Sequence, residues 1–149
     1  MKLDEKGYKL ITSVEGFSAK PYLDSAKIPT IGYGSTYYTD GKRVTMLDKQ
    51  ITKDQAYEMF KIIADRFAKT VDSKVTAEIT QNQFNALVCF AYNVGTGSFQ
   101  TSTLLKKVNT NPKDLTIKNE FLKWVKAGGV KLQGLVNRRE KEIEMYYRV

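Results

Sequence analysis

The chain has no histidine and one cysteine, Cys89, among its 149 residues. Without histidine, a Ser-His-Asp or Cys-His nucleophile system is excluded, and acid–base chemistry near neutral pH falls to carboxylates, lysine or tyrosine. A lone cysteine rules out an intramolecular disulfide, and with no histidine beside it a zinc site is not expected. No metal and no cofactor is therefore expected. Repeats, low-complexity tracts and Pro/Gly/Ser linkers are also missing, so the chain reads as one domain, residues 1–149. No stretch approaches the ~20 apolar residues of a membrane span, so stable membrane insertion is not expected. The start, Met1-Lys2-Leu3-Asp4-Glu5-Lys6, is charged, and the apolar core of roughly 7–15 residues that marks a secretory signal does not follow it. The expectation is a protein made and held in the cytoplasm.

What is present is a globular composition, 42% apolar and 27% charged. A chain of this length buries about two-thirds of its unfolded surface and needs no covalent staples. Its 24 basic and 16 acidic residues give a net charge of +8, a field that favours polyanions such as nucleic acid, anionic membrane or an acidic wall polymer. The charge is uneven. Residues 1–103 carry 13 basic and 11 acidic side chains, whereas residues 104–149 carry 11 and 5.

Hydrophobic spacing predicts a short helix over 3–14, with Asp4 as cap and Leu3, Leu10, Ile11 and Val14 as its apolar positions. Residues 17–45 lose the helical period. Strand formers at 21–23, 30–34 and 42–44, with turns at 24–28 and 39–41, predict a small antiparallel sheet. Thr52-Lys53-Asp54-Gln55 has capping-box form and precedes an apolar stripe running from Ala56 through Phe60 to Phe67. Thr80-Gln81-Asn82-Gln83 repeats the box, Phe84, Leu87, Val88, Ala91 and Tyr92 repeat the stripe, and Gly95 ends it. Further helices are predicted over 101–109, 113–126 (stopped by Gly128-Gly129) and 135–148. The fold class is α+β: a helix plus small β-rich lobe over 1–51, a connecting helix over 52–79, and a larger helical lobe over 80–149. A polymer substrate would sit in a cleft between the lobes.

Cleaving a glycosidic bond needs a protonated carboxyl on the leaving oxygen and an ionised carboxylate near the anomeric carbon or the attacking water. Glu15 ends the first predicted helix within Ser13-Val14-Glu15-Gly16-Phe17. Asp24 lies in the first turn of the sheet, and Thr30, which can fix a water, opens the next strand. Helix end, turn and strand start allow three separated residues to converge. The plainer alternatives are a solvated glutamate at a helix end and an aspartate doing ordinary turn chemistry.

The runs Glu15-Gly16-Phe17, Tyr22-Leu23-Asp24 and Pro29-Thr30-Ile31-Gly32-Tyr33-Gly34 resemble the phage-type lysozymes, muramidase endolysins of the T-even and lambdoid kind. The resemblance continues through Gln83, Leu87-Val88, Phe90, Tyr92-Asn93-Val94-Gly95, Phe99 and Ser102-Thr103-Leu104-Leu105. It ends on Trp124, Gly128-Gly129, Gly134-Leu135 and Arg138-Arg139, so it covers nearly the whole chain in order. It implies a lysozyme-like fold and hydrolysis of the β-1,4 bond between N-acetylmuramic acid and N-acetylglucosamine in peptidoglycan. By the same matching, Glu15 would be the general acid, Asp24 the base or electrostatic stabiliser, and Thr30 the residue that positions water. Substrate contacts would come from Thr36, Tyr92 and Ser102. Tyr92 could equally be helix packing, and Ser102 a helix cap. The implied partners are peptidoglycan glycan strands and the anionic bacterial envelope, not nucleic acid. The protein would be a monomer in the host cytoplasm that reaches the wall after release by a separate holin.

One departure is Ser35, which follows the glycine pair where many relatives have histidine. The position reads as structural, and its change removes a histidine-linked pH switch. Cys89 reads as a small hydrophobe beside the 80–95 stripe. Arg138 and Arg139 read as a solvated basic face, with the family suggesting that Arg138 reaches toward Glu15, and Glu140-Lys141-Glu142 reads as helix-surface charge pairing. Two other functions remain open from the residues: a lytic transglycosylase, which needs only one acid/base residue, and a non-catalytic module binding an anionic wall polymer.

Overall fold

The computed structural model describes all 149 residues and divides them into two compact units, Ile11–Arg66 on one hand and Met1–Leu10 with Phe67–Val149 on the other. Helix α1, Glu5–Glu15, begins where the Asp4 carboxylate accepts the Gly7 N–H at 3.0 Å, the N-cap the sequence predicts. Strands β1, Ser18–Leu23, and β2, Pro29–Gly32, pair antiparallel, with Tyr22 opposite Thr30 and a register shift between Ser18 and Tyr22. The expected third strand at 42–44 is only an isolated bridge, Tyr37 to Arg43, with the Val44 N–H donating to Thr36 O at 2.9 Å. Chain between Gly32 and Arg43 turns too often for a continuous ladder to form. Ile31, Val44 and Met59 form the apolar centre of this unit, with Tyr38 and Ile51 against it.

Helix α2, Lys53–Lys74, opens with the full capping box: the Gln55 N–H donates to Thr52 Oγ1 at 3.1 Å, and the Thr52 N–H to Gln55 Oε1 at 2.9 Å. Its predicted stripe is inward, with Ala56, Met59, Phe60 and Ala64 buried. Thr80 and Gln83 close the same box on α3, Gln81–Val94. This helix is apolar well beyond one stripe, because every residue from Phe84 to Ala91 is buried, including Asn85. Asn85 Nδ2 donates to Asp4 Oδ1 at 2.7 Å and Asn85 Oδ1 accepts from Gln81 at 2.9 Å, so its buried amide is satisfied and joins the start of α1 to α3.

Three helical expectations need correction. The predicted helix at 101–109 is α5, Thr103–Thr110, and a short helix the spacing does not predict, α4 Thr96–Thr101, precedes it with a break at Ser102. The predicted helix at 113–126 shrinks to α6, Ile117–Phe121. Gly128-Gly129 stops no helix: it is the two-residue loop of a hairpin joining β3, Lys126–Ala127, to β4, Val130–Lys131. Both glycines are left-handed, at φ 57° and 80°, the backbone such a hairpin turn demands. Helix α7, Gln133–Tyr147, starts two residues before its predicted position. Phe90 centres an aromatic cluster in this unit, edge-on to Phe121 (5.4 Å), Trp124 (5.7 Å) and Phe99 (6.4 Å).

Candidate active site

In the 11–66 unit, Tyr22 feels the charge of both Glu15 and Asp24 and faces Thr30 across the sheet. Gly16, at φ 67°, ends α1 directly after Glu15 and turns the chain into β1. Gly34, at φ 92°, takes a backbone conformation that favours glycine, and a Cβ there would lie in ordinary contact, 3.6 Å, with Glu15 Oε2, so this turn borders the carboxyl. Phe17, next along the chain, packs on Tyr33 at 5.5 Å, and Tyr33 packs edge-on to Phe60 at 5.9 Å.

Asp24 folds its own loop. Its Oδ1 accepts the N–H groups of Ala26 (2.8 Å) and Ile28 (2.9 Å), while its backbone N–H donates to Ile28 O at 3.1 Å. Lys27, inside the loop, takes the left-handed φ of 62°. The second carboxylate oxygen, Oδ2, makes no hydrogen bond within the chain. Thr30 is buried, and its hydroxyl donates to Ile28 O at 2.8 Å. With the proton spent on that carbonyl, Thr30 Oγ1 meets any further partner as an acceptor.

Tyr22 lies directly opposite Thr30 in the sheet. Its phenol is held above its ordinary value, first by burial and then by the negative charge of Glu15 and of Asp24. One phenol thus lies within the field of both carboxylates. Leu23 and Ile28, on either side of the Asp24 loop, and Tyr22 itself leave large apolar surface uncovered. Tyr22 has no role assigned by the sequence reading. Its position as the strand partner of Thr30, two residues before Asp24, is a signal only once the register is known.

The other named residues are placed differently. Thr36 is half-buried beside the Ile31–Ser35 bridge. Ser35 is fully buried in that bridge, a structural position. Tyr92 and Ser102 belong to the second unit. The Tyr92 ring packs on Phe67 at 5.1 Å. Ser102 is buried and caps α5, its Oγ accepting the Leu105 N–H at 3.1 Å and donating to Phe99 O at 2.7 Å.

The reading of Arg138, Arg139 and Glu142 as surface charge is corrected, because all three are buried. Arg139 Nε meets Glu142 Oε1 at 2.7 Å, and its Nη2 donates to Asn93 Oδ1 at 2.8 Å. Arg138 reaches Glu142 Oε2 at 3.3 Å and Cys89 O at 3.0 Å. The Arg139 guanidinium also lies over the Phe90 ring at 5.1 Å. Cys89 is buried, and burial with the nearby Glu142 charge pushes its thiol well above the ordinary range, which removes thiolate reactivity. The cysteine is the small buried core residue the sequence suggests, and it also borders the ionic cluster.

The phage lysozyme family model matches residues 12–142. The chain is 40% identical over 148 residues, 98% of its length, to an endolysin of Bacillus phage PZA. It spans about half the length of that relative (55%) and of the Bacillus phage B103 endolysin (54%). Among solved structures, an endolysin from Escherichia coli O157:H7 phage FAHEc1 superposes with a TM-score of 0.89 at 36% identity, covering 99% of this chain and 94% of that one. A mutant of phage P22 lysozyme gives 0.85 at 30% identity, with 99% of each chain covered. The α+β architecture described above is accordingly the lysozyme-like fold. The chain belongs to the phage lysozyme family.

Proposed function

We propose that this chain hydrolyses the β-1,4 bond between N-acetylmuramic acid and N-acetylglucosamine in peptidoglycan. Glu15 is the general acid, Asp24 the base and electrostatic stabiliser, and Thr30 the residue that positions water. The observation carrying this reading is the placement of Tyr22 in the field of both carboxylates and opposite Thr30. The Glu15 carboxyl protonates the leaving glycosidic oxygen as the C1–O bond breaks. Asp24 Oδ2 and Thr30 Oγ1 are both acceptors, so one water can donate a proton to each. That leaves the water's lone pairs free, and one attacks the anomeric carbon while Asp24 takes a proton. An ionised Asp24 also stabilises the positive charge that develops on the sugar.

Thr36 and Tyr92 would contact the glycan. Ser102, with its hydroxyl committed to backbone on both sides, contributes chiefly by holding the α4–α5 corner. The protein would act as a monomer on the cell wall, after release from the host cytoplasm through a membrane opened by a separate holin. The anionic envelope would attract the basic residues of 104–149.

The test is digestion of washed bacterial walls with analysis of the new chain ends. Loss of turbidity with free reducing muramic ends is expected. Anhydro-muramic ends would mean transglycosylation without water, and intact walls that retain the protein would mean a binding module; either result overturns the proposal.

A further inference from the structure

The segment from Lys126 to Gly134 is exposed at every position and contains no carboxylate. Its hairpin sets Lys126 directly opposite Lys131, and like charges facing each other across an antiparallel pair destabilise it. Neither ammonium has an ion-pair partner. The preceding acid in the sequence, Glu120, is already held by Lys107 at 2.9 Å and Lys123 at 2.8 Å. Val130 and Leu132, on either side of Lys131, are 61% and 43% exposed. The tip is Gly128-Gly129, with no side chain to hold the backbone away from a flat surface, and the base is pinned by the Leu132 N–H donating to Val125 O at 2.9 Å. The paired lysines lie on one face of the hairpin and Val130 on the other with Ala127, so uncompensated charge and uncovered aliphatic surface flank the same pinned tip.

We propose that this hairpin is a peripheral docking element for a bilayer containing anionic phospholipids. Lys126 and Lys131 meet headgroup phosphates, while Val130 and Leu132 reach the boundary with the acyl chains. A soluble polyanion would satisfy the lysines and leave both aliphatic side chains in water, so the paired chemistry favours a lipid surface. The association is superficial, since no helix is long and apolar enough to cross a membrane. It does not depend on the hydrolytic reading, because the hairpin contributes no residue to that chemistry.

The test is co-sedimentation with vesicles of phosphatidylglycerol and phosphatidylcholine, against vesicles of phosphatidylcholine alone. The full chain should bind the anionic vesicles, with little binding to the neutral ones. Lys126→Gln with Lys131→Gln should weaken that binding about thirty-fold. Val130→Ser with Leu132→Ser should weaken it about ten-fold and leave salt-dependent retention on immobilised polyphosphate unchanged. Both pairs are exposed, so thermal midpoints and lysis of washed walls should match the parent. The proposal is overturned if the serine pair binds anionic vesicles as the parent does, if parent binding ignores lipid charge, or if no vesicles are bound. It is also overturned if either pair lowers wall lysis while vesicle binding stays intact, for the hairpin would then serve the glycan. Failure on vesicles alone leaves the hydrolase reading standing.

Discussion

Asp24 and Glu142 are both acidic, yet the two compact units use them in opposite ways. Asp24 lies in a five-residue loop, with one oxygen bonded to two N–H groups of that loop and the other left open. Glu142 is fully buried on α7, with both oxygens taken by the guanidiniums of Arg138 and Arg139. Burial pushes the Glu142 carboxyl up while the two guanidiniums pull it down. The 11–66 unit fixes a carboxylate with backbone and keeps one oxygen open; the helical unit sets its carboxylate against two guanidiniums. A carboxylate ready for chemistry and a carboxylate holding a core are thus told apart by what occupies their oxygens.

The largest effect expected from this contrast is in Glu15→Gln. Wall hydrolysis should fall by roughly three to four orders of magnitude, while the unfolding midpoint stays near that of the parent. A folded Glu15→Gln protein with near-parental turnover would place the chemistry elsewhere. Glu142→Gln should do the reverse, costing about 3–5 kcal/mol in denaturant unfolding because two guanidiniums lose their buried counter-charge. Its turnover, measured well below the unfolding midpoint, should remain within a few-fold of the parent.

Thr30 sharpens the comparison inside the first unit. Thr30→Val removes the acceptor proposed for water and should lower turnover by about ten- to a hundred-fold, whereas Thr30→Ser keeps it and should stay within a few-fold. Equal turnover in the two variants would reduce Thr30 to a strand residue. The smallest effect concerns Glu120, whose carboxylate is buried but is paired with two lysines that reach solvent. Lys123 and Lys107 hold the Glu120 carboxyl below its ordinary value of 4.5. A lowered folded-state value gives stability that is complete above pH 4.5 and is lost as pH falls through the folded value. Glu120→Gln should therefore flatten the acid limb of the stability profile, by about 1 kcal/mol or less.

Features fixed by near neighbours in the chain were legible in the sequence. Both capping boxes, the Asp4 cap and the Asp24 turn depend on bonds spanning two to four residues, and each forms as its local pattern requires. Gly128-Gly129 was ambiguous because a glycine after a helical pattern and a glycine pair between two short strands look alike until the strands pair. Ser102 interrupts a stretch whose apolar spacing is compatible with one helix, and only its paired backbone bonds reveal a corner. The ionic cluster was not legible at all, since α7 alone reads as a charged surface helix. Arg138 meets Cys89 across 49 residues and Arg139 meets Asn93 across 46, distances over which spacing carries no information. For the candidate site, the sequence supplied Glu15, Asp24 and Thr30, and it took the register of β1 on β2 to add Tyr22.

Asp24 is at once the keystone of its loop and the holder of an open oxygen, and this ties two properties that mutation usually separates. Asparagine can still receive the Ala26 and Ile28 N–H groups on its carbonyl oxygen, so it preserves the loop while deleting the charge. Alanine deletes both, and leaves the left-handed Lys27 held only by the backbone bonds from the Lys27 N–H to Asp24 O and from the Asp24 N–H to Ile28 O. Activity lost in an alanine variant would therefore mix architecture with chemistry, and only the asparagine variant reads the charge alone. The choice open to this position is correspondingly narrow: the side chain must be short, accept two bonds on one atom, and keep a second atom facing outward.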